Sequence, residues 1–150
     1  MITEGSTAPD FTLTDHNGED VSISQFKGQA IILYFYPKDN TPGCTKEACS
    51  FRDDFKVYTE KNTVILGVSK DSVETHKKFI EKQDLPFILL SDPDAQVCEL
   101  YGVWKEKINF GKRYMGIERT TFHIDPEGTI KKIYKRVKVD GHSAKVLELL

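Results

Sequence analysis

The 150-residue chain lacks any excess of basic charge: 21 Lys and Arg stand against 23 Asp and Glu, a formal net charge of -2. Nucleic acids and anionic membrane surfaces are held by cations that neutralise phosphates, so neither partner is indicated. Long apolar runs are missing as well. The run Ile31 to Tyr36 falls far short of the roughly 20 residues that cross a bilayer. The start, Met1-Ile2-Thr3-Glu4-Gly5, does not lead a basic segment into an apolar one, so a cytoplasmic protein is expected. No Pro-, Gly- or Ser-rich linker, block of like charge or internal repeat divides the chain, and one domain over residues 1–150 is expected. Cysteine is scarce, with three residues. An odd number without a secretion signal favours thiols kept reduced between chemical events over a disulfide framework.

Two of those cysteines, Cys44 and Cys49, follow the apolar run closely, in Pro37-Lys38-Asp39-Asn40-Thr41-Pro42-Gly43-Cys44-Thr45-Lys46-Glu47-Ala48-Cys49. The run reads as a buried strand, and Thr41-Pro42 as a helix N-cap followed by proline at the first helical position. Cys44 then lies in the first helical turn, where unpaired backbone N–H groups and the positive end of the helix dipole favour thiolate. In an unbroken helix the Cα atoms of Cys44 and Cys49 stand roughly 8.6 Å apart, whereas disulfides rarely span more than about 7 Å. A bond between them requires local unwinding, which argues against a static structural bridge. The spacing also differs from the C-x-x-C of disulfide oxidoreductases.

Elsewhere, Phe11 and Leu13 alternate with polar residues before Asn17-Gly18, and Val21 and Ile23 alternate after it, a β-hairpin. The strand from Ala30 to Tyr36, a helix from about Thr41 to Tyr58 and a strand from Thr63 to Val68 make a βαβ unit. Ser72 caps a helix with Val73, His76, Phe79 and Ile80 on one stripe, ending before Pro86, and Phe87 to Leu90 reads as a strand. A short helix carrying Val97, Leu100 and Tyr101 ends at Gly102. Thr120 to Ile124 and Thr129 to Val137 form a hairpin around Asp125-Pro126-Glu127-Gly128, and Ser143 to Leu150 is a short amphipathic helix. The order predicts an α/β fold, a mixed central sheet flanked by helices, with the Cys44 helix beginning at the carboxyl end of a central strand.

The pattern Pro37-x-x-x-Thr41-x-x-Cys44, with Glu47, Ala48, Cys49, Phe51 and Arg52 behind it, resembles the peroxidatic motif of peroxiredoxins. Tyr101-Gly102-Val103-Trp104 and Gly116-Ile117-Glu118-Arg119-Thr120-Thr121-Phe122 are similar to later segments of the bacterioferritin comigratory protein, or peroxiredoxin Q, subfamily. The resemblance covers nearly the whole chain. It implies a thioredoxin fold of peroxiredoxin type with an N-terminal β-hairpin. It further implies that Cys44 is the peroxidatic cysteine, that Thr41 and Arg119 complete its pocket, that Pro37 shields it and that Cys49 is the resolving cysteine. The implied activity reduces hydrogen peroxide and organic hydroperoxides through a Cys44 sulfenic acid and an intramolecular Cys44–Cys49 disulfide, recycled by thioredoxin or a similar dithiol. No cofactor is implied, and a monomer or weak homodimer is expected.

The residue types suit that chemistry. Peroxide reduction needs an aimed thiolate and donors for developing charge on oxygen. A threonine hydroxyl at 41 can accept from the peroxide and donate to sulfur, and Arg119 offers a permanent charge with fixed N–H donors. Gly43 leaves room for the peroxide and, with Cys44, supplies backbone N–H donors. Glu47, one turn after Cys44, is placed to orient an arginine. Other readings of the same residues remain: a buried inert Cys44, a Cys49 that only fills the helix core, or a zinc centre built with the scattered histidines. Cys98 reads as packed and chemically quiet. Two rival functions are a protein-disulfide oxidoreductase and a non-enzymatic redox-responsive binding module that exposes Phe51 and Phe55.

Overall fold

The computed structural model describes residues 2–150. The chain opens with the hairpin β1 (Thr12–Asp15) and β2 (Asp20–Ser22), followed by a 3-10 turn at Ile23–Phe26. Strand β3 (Ala30–Phe35) leads to α1 (Pro42–Asp53) and α2 (Phe55–Glu60). Next come β4 (Thr63–Ser69), α3 (Val73–Gln83), β5 (Ile88–Ser91) and α4 (Gln96–Leu100). The chain then forms β6 (Trp104–Asn109), β7 (Lys112–Ile117), β8 (Thr120–Ile124), β9 (Ile130–Tyr134) and α5 (His142–Leu147).

Period-two alternation along β3 divides the core in two. Ile31, Leu33 and Phe35 pack on one face of the sheet, with Val97 and Cys98 of α4 and the apolar residues of the N-terminal region. Ile32, Tyr34 and Tyr36 pack on the other, against Ala48 and Phe51 of α1, Tyr58 of α2, Phe79 of α3 and Val146 of α5. Every residue of β3 is buried, as expected of a central strand covered on both faces. The seven-stranded sheet has the order β2-β1-β5-β4-β3-β8-β9. Its middle pairs, β3 with β4 and β4 with β5, are parallel, and the flanking pairs are antiparallel. The expected mixed sheet and the start of the Cys44 helix at the carboxyl end of a central strand are thus observed.

Two local expectations are corrected, and one unexpected element is found. The helix expected from Thr41 to Tyr58 breaks at Asp54, which leaves helical geometry at φ -97°, ψ 5°. Tertiary contacts hold the break: Ser143 Oγ donates to Asp54 Oδ2 at 2.7 Å and the Tyr58 hydroxyl donates to the Ser143 carbonyl at 2.9 Å. The last helix runs from His142 to Leu147 instead of Ser143 to Leu150. Residues 104–117, given no element by the sequence reading, form a separate two-stranded hairpin. Its two-residue loop places Phe110 at φ 52° and Gly111 at φ 76°, the left-handed pair that tight hairpins require. The signal is weak in sequence because Phe-Gly replaces the usual Asn-Gly and half of the strand residues are charged or amide side chains.

Candidate active site

Two features of α1 put Cys44 where it is. Thr41 is the backbone N-cap, extended at φ -86°, ψ 153°, and Pro42 opens the helix. Proline there forfeits only an N–H that has no intrahelical partner, and it presets the helical φ. Cys44 follows in the first turn, where its own N–H and that of Gly43 have no intrahelical acceptor. The thiol is 1% exposed.

Arg119 arrives from the opposite direction. It immediately precedes β8, whose antiparallel register on β3 sets Thr120 against Phe35, so Arg119 lies over the carboxyl end of β3 beside the start of α1. Its guanidinium forks, Nη2 donating to Cys44 Sγ at 3.3 Å and Nη1 to Glu47 Oε1 at 2.7 Å. Cys44 and Glu47 can be bridged this way because residues three apart share one helix face. An N–H donated from a permanent cation stabilises negative charge on the sulfur.

The carboxylate in this trio is strained electrostatically. Burial pushes Glu47 up to about 7, against the opposing pull of the Arg119 charge and hydrogen bond. Among the described residues its second oxygen, Oε2, is buried without a partner, which leaves part of the desolvation cost uncompensated. Burial also pulls the Arg119 guanidinium down, but Glu47 and Cys44 outweigh it and the net direction is up. Gly43 admits the guanidinium: a Cβ at that position would stand 3.2 Å from Arg119 Nη2. The space at Gly43, expected to serve the approaching peroxide, is bordered by the arginine.

Thr41 is the expected N-cap through its backbone alone. Its hydroxyl donates to the Lys38 carbonyl at 2.8 Å and makes no side-chain cap. Asn40, left-handed at φ 64°, turns the loop so that this carbonyl comes within reach. Pro37 is exposed. Cys49 is half-buried five residues beyond Cys44, with Sγ 3.5 Å from Gln83 Oε1 on α3. Both cysteines are free thiols within one continuous helix. Cys98 is buried in the opposite core, and burial together with Asp92 pushes its thiol far up.

The sequence reading missed two contributors. Lys107, half-buried on β6, is pulled down by burial and by Arg119 and pulled up by Cys44 and Glu118, so the unforeseen hairpin brings a second cation toward the thiol. Its alkyl chain lies over Gly116, where a Cβ would meet Lys107 Cδ at 3.2 Å. Asp39, in the loop that carries Thr41, is 3% exposed and bonded to His76 and Tyr36. A histidine on the apolar stripe of α3 was the available signal, since a buried imidazole needs partners. Among the described residues, Asp39, Asp71 and His76 bring metal-ligating atoms within 4.8 Å of one another. No cysteine belongs to that group. Among the described residues, no helix is long and apolar enough to cross a membrane.

Residues 5–133 match the AhpC/TSA family. The peroxiredoxin Bcp of Bacillus subtilis strain 168 is 54% identical over 146 residues, covering 97% of this chain and 93% of that protein. A structure of the Xanthomonas campestris bacterioferritin comigratory protein, studied for alkyl peroxide reduction, superposes with a TM-score of 0.89 at 40% identity, covering 93% of this chain and 88% of that one. The PrxQ of Xylella fastidiosa superposes with a TM-score of 0.94 at 37% identity over 99% of this chain and 95% of that one. The chain belongs to the AhpC/TSA family and, within it, to the Bcp or peroxiredoxin Q group of thioredoxin-fold peroxiredoxins.

Proposed function

We propose that Cys44 attacks a hydroperoxide, that Cys49 resolves the product, and that Arg119 holds and stabilises the reacting charge. As a peroxiredoxin the chain is a thiol-dependent peroxidase, and what is proposed is which residues carry the reaction. The observation that carries it is the fork of Arg119 between Cys44 Sγ and Glu47. One guanidinium both favours thiolate and offers N–H donors to oxygen as the O–O bond breaks. Glu47 fixes the plane of that guanidinium, and the free N–H groups at the start of α1 add further donors.

The thiolate displaces alkoxide or hydroxide from the peroxide, which leaves as alcohol or water after taking up a proton, and Cys44 becomes a sulfenic acid. Cys49 then condenses with it, releasing water and forming the disulfide. Thr41 and Gly43 line the approach to the sulfur and Pro37 shields it, with the Thr41 hydroxyl turning from the Lys38 carbonyl toward the peroxide when one binds. Because the two Cα positions lie roughly 8.6 Å apart on a regular helix, α1 unwinds during the second step. A dithiol, thioredoxin or one like it, returns the disulfide to two thiols. Hydrogen peroxide and small organic hydroperoxides are the substrates, in the cytoplasm, with the whole chain working as one domain and as a monomer or weak homodimer.

The experiment is a titration of reduced protein with one equivalent of hydrogen peroxide, followed by peptide mass mapping. A rapidly formed Cys44–Cys49 disulfide is expected. Persistence of all three free thiols would remove both assignments.

A further inference from the structure

His76 is fully enclosed, yet both of its ring nitrogens face acceptors. Nε2 stands 3.0 Å from the Leu90 carbonyl oxygen of β5. A carbonyl only accepts, so Nε2 carries a hydrogen. Nδ1 stands 2.6 Å from Asp39 Oδ2. A bare nitrogen and a bare carboxylate oxygen would repel at that distance, so a further proton lies between them. Asp39 Oδ1 accepts from the Tyr36 hydroxyl at 2.6 Å, and the Asp39 N–H donates to Asp71 Oδ2 at 2.9 Å. Asp71 is itself tied down, accepting from Ser69 Oγ at 2.6 Å on Oδ2 and from Ser91 Oγ at 2.6 Å on its carbonyl.

One loop residue is thereby fastened to the end of β3, to α3, to the connection after β4 and, through His76, to β5. Its neighbours Pro37, Lys38 and Asn40 are exposed, so Asp39 is the buried anchor of the loop that leads into Thr41 and Cys44. Asp39 and His76 satisfy each other, and Asp71 Oδ2 is satisfied by the Asp39 N–H and the Ser69 hydroxyl, which makes the group a closed hydrogen-bonded network instead of an open metal site.

We propose that Asp39 and His76 are positioning residues for peroxide reduction: their buried clasp fixes residues 37–41 and so aims Cys44. This rests on the assignment of Cys44 as the attacking thiol. A helix that must lose its shape in every cycle needs a stationary point from which its reactive turn is rebuilt. The clasp supplies one outside the helix.

Rapid mixing of pre-reduced protein with hydrogen peroxide, quenched and mapped by mass, separates Cys44 oxidation from disulfide closure. Asp39→Ala should slow the oxidation about 10- to 100-fold, the penalty of a reacting group displaced by about an ångström. Closure should stay within about twofold of wild type, because aiming matters only to the first step. Asp39→Asn should restore oxidation to within about threefold: its amide oxygen accepts from Tyr36 and its N–H donates to Nδ1 of a neutral His76. Tyr36→Phe removes one hydroxyl and keeps the core volume, so it carries the test if Asp39→Ala fails to fold, with a several-fold loss in oxidation alone. Wild-type oxidation rates in Asp39→Ala and Tyr36→Phe, or equal slowing of both steps, would overturn the clasp. A wild-type protein whose Cys44 ignores peroxide would overturn the Cys44 assignment, and the clasp with it.

Discussion

The two ends of α1 are held by different forces. At its start, the Cys44 turn is gripped by directional polar contacts: Arg119 on the sulfur and on Glu47, and the Asp39 network behind the loop. Further on, around Cys49, apolar packing dominates. Ala48 and Phe51 are fully buried, with the Phe51 ring 4.9 Å from that of Tyr34 and 5.8 Å from that of Tyr58. Polar ties there are few: Cys49 has one long contact to Gln83, and Arg52 donates to the Gln83 carbonyl at 2.7 Å. Directional bonds fix an angle and a distance, as a nucleophile requires. Apolar burial is non-directional, so it keeps the reduced helix folded without prescribing a path, and it can be given up when a disulfide repays it.

Removing the thiols gives the largest effect. Cys44→Ser should abolish peroxide consumption, whereas Cys49→Ser should consume about one equivalent and then stop until an external thiol intervenes. Equal activity in the two variants would erase the distinction between the ends of α1. Arg119→Lys comes next. Lysine keeps the charge but cannot fork to Cys44 and Glu47 in one plane, and loss of such a donor costs about 100- to 1000-fold. Stopped-flow measurement should place that loss in the first step and leave disulfide closure unchanged.

Phe51→Ala probes the other end. Emptying a fully buried phenylalanine site costs about 3–5 kcal/mol, which denaturant titration of the reduced protein would read. The same change should accelerate disulfide closure, since less packing holds α1 closed; slower closure would show that Phe51 guides the unwinding. The smallest effect concerns Glu47. Its acid is raised from 4.5 to about 7 in the fold, so between those values the native state binds more protons than the unfolded chain. Stability from this group is therefore present below about pH 4.5 and is lost as pH rises through about 7, a change of up to about 3 kcal/mol. Glu47→Gln should remove that slope from a stability profile measured across this pH range, and a variant with an unchanged slope would place the titration elsewhere.

Much of the molecule could be read in advance because its signals are local. A continuous apolar run located β3, and Thr41-Pro42 located the start of α1. Ser72 located the start of α3, where its Oγ accepts from the Thr75 N–H. The six-residue separation that puts Thr41, Cys44 and Glu47 near one helix start is also a property of the chain alone. Family motifs, not spacing, singled out Arg119. What escaped was of two kinds. The β6–β7 hairpin has half-polar, mostly exposed strands and an uncommon turn, so its periodicity carries little information. The break at Asp54 depends on Ser143, 89 residues away, and no local propensity could reveal it.

The chain's own pattern therefore decided where most of the strands and helices lie, and that a thiol occupies the first turn of a helix after a buried strand, because both follow from local side-chain patterning and end-capping within a few residues. Tertiary structure alone decided what surrounds that thiol. The β3–β8 register carries Arg119 across 75 residues to Cys44, and the packing of α3 beside β5 brings His76 to Asp39 across 37. Contacts of that range are settled by how the elements stack around a shared core, and only then do burial and charge give Glu47, Arg119 and His76 their chemistry.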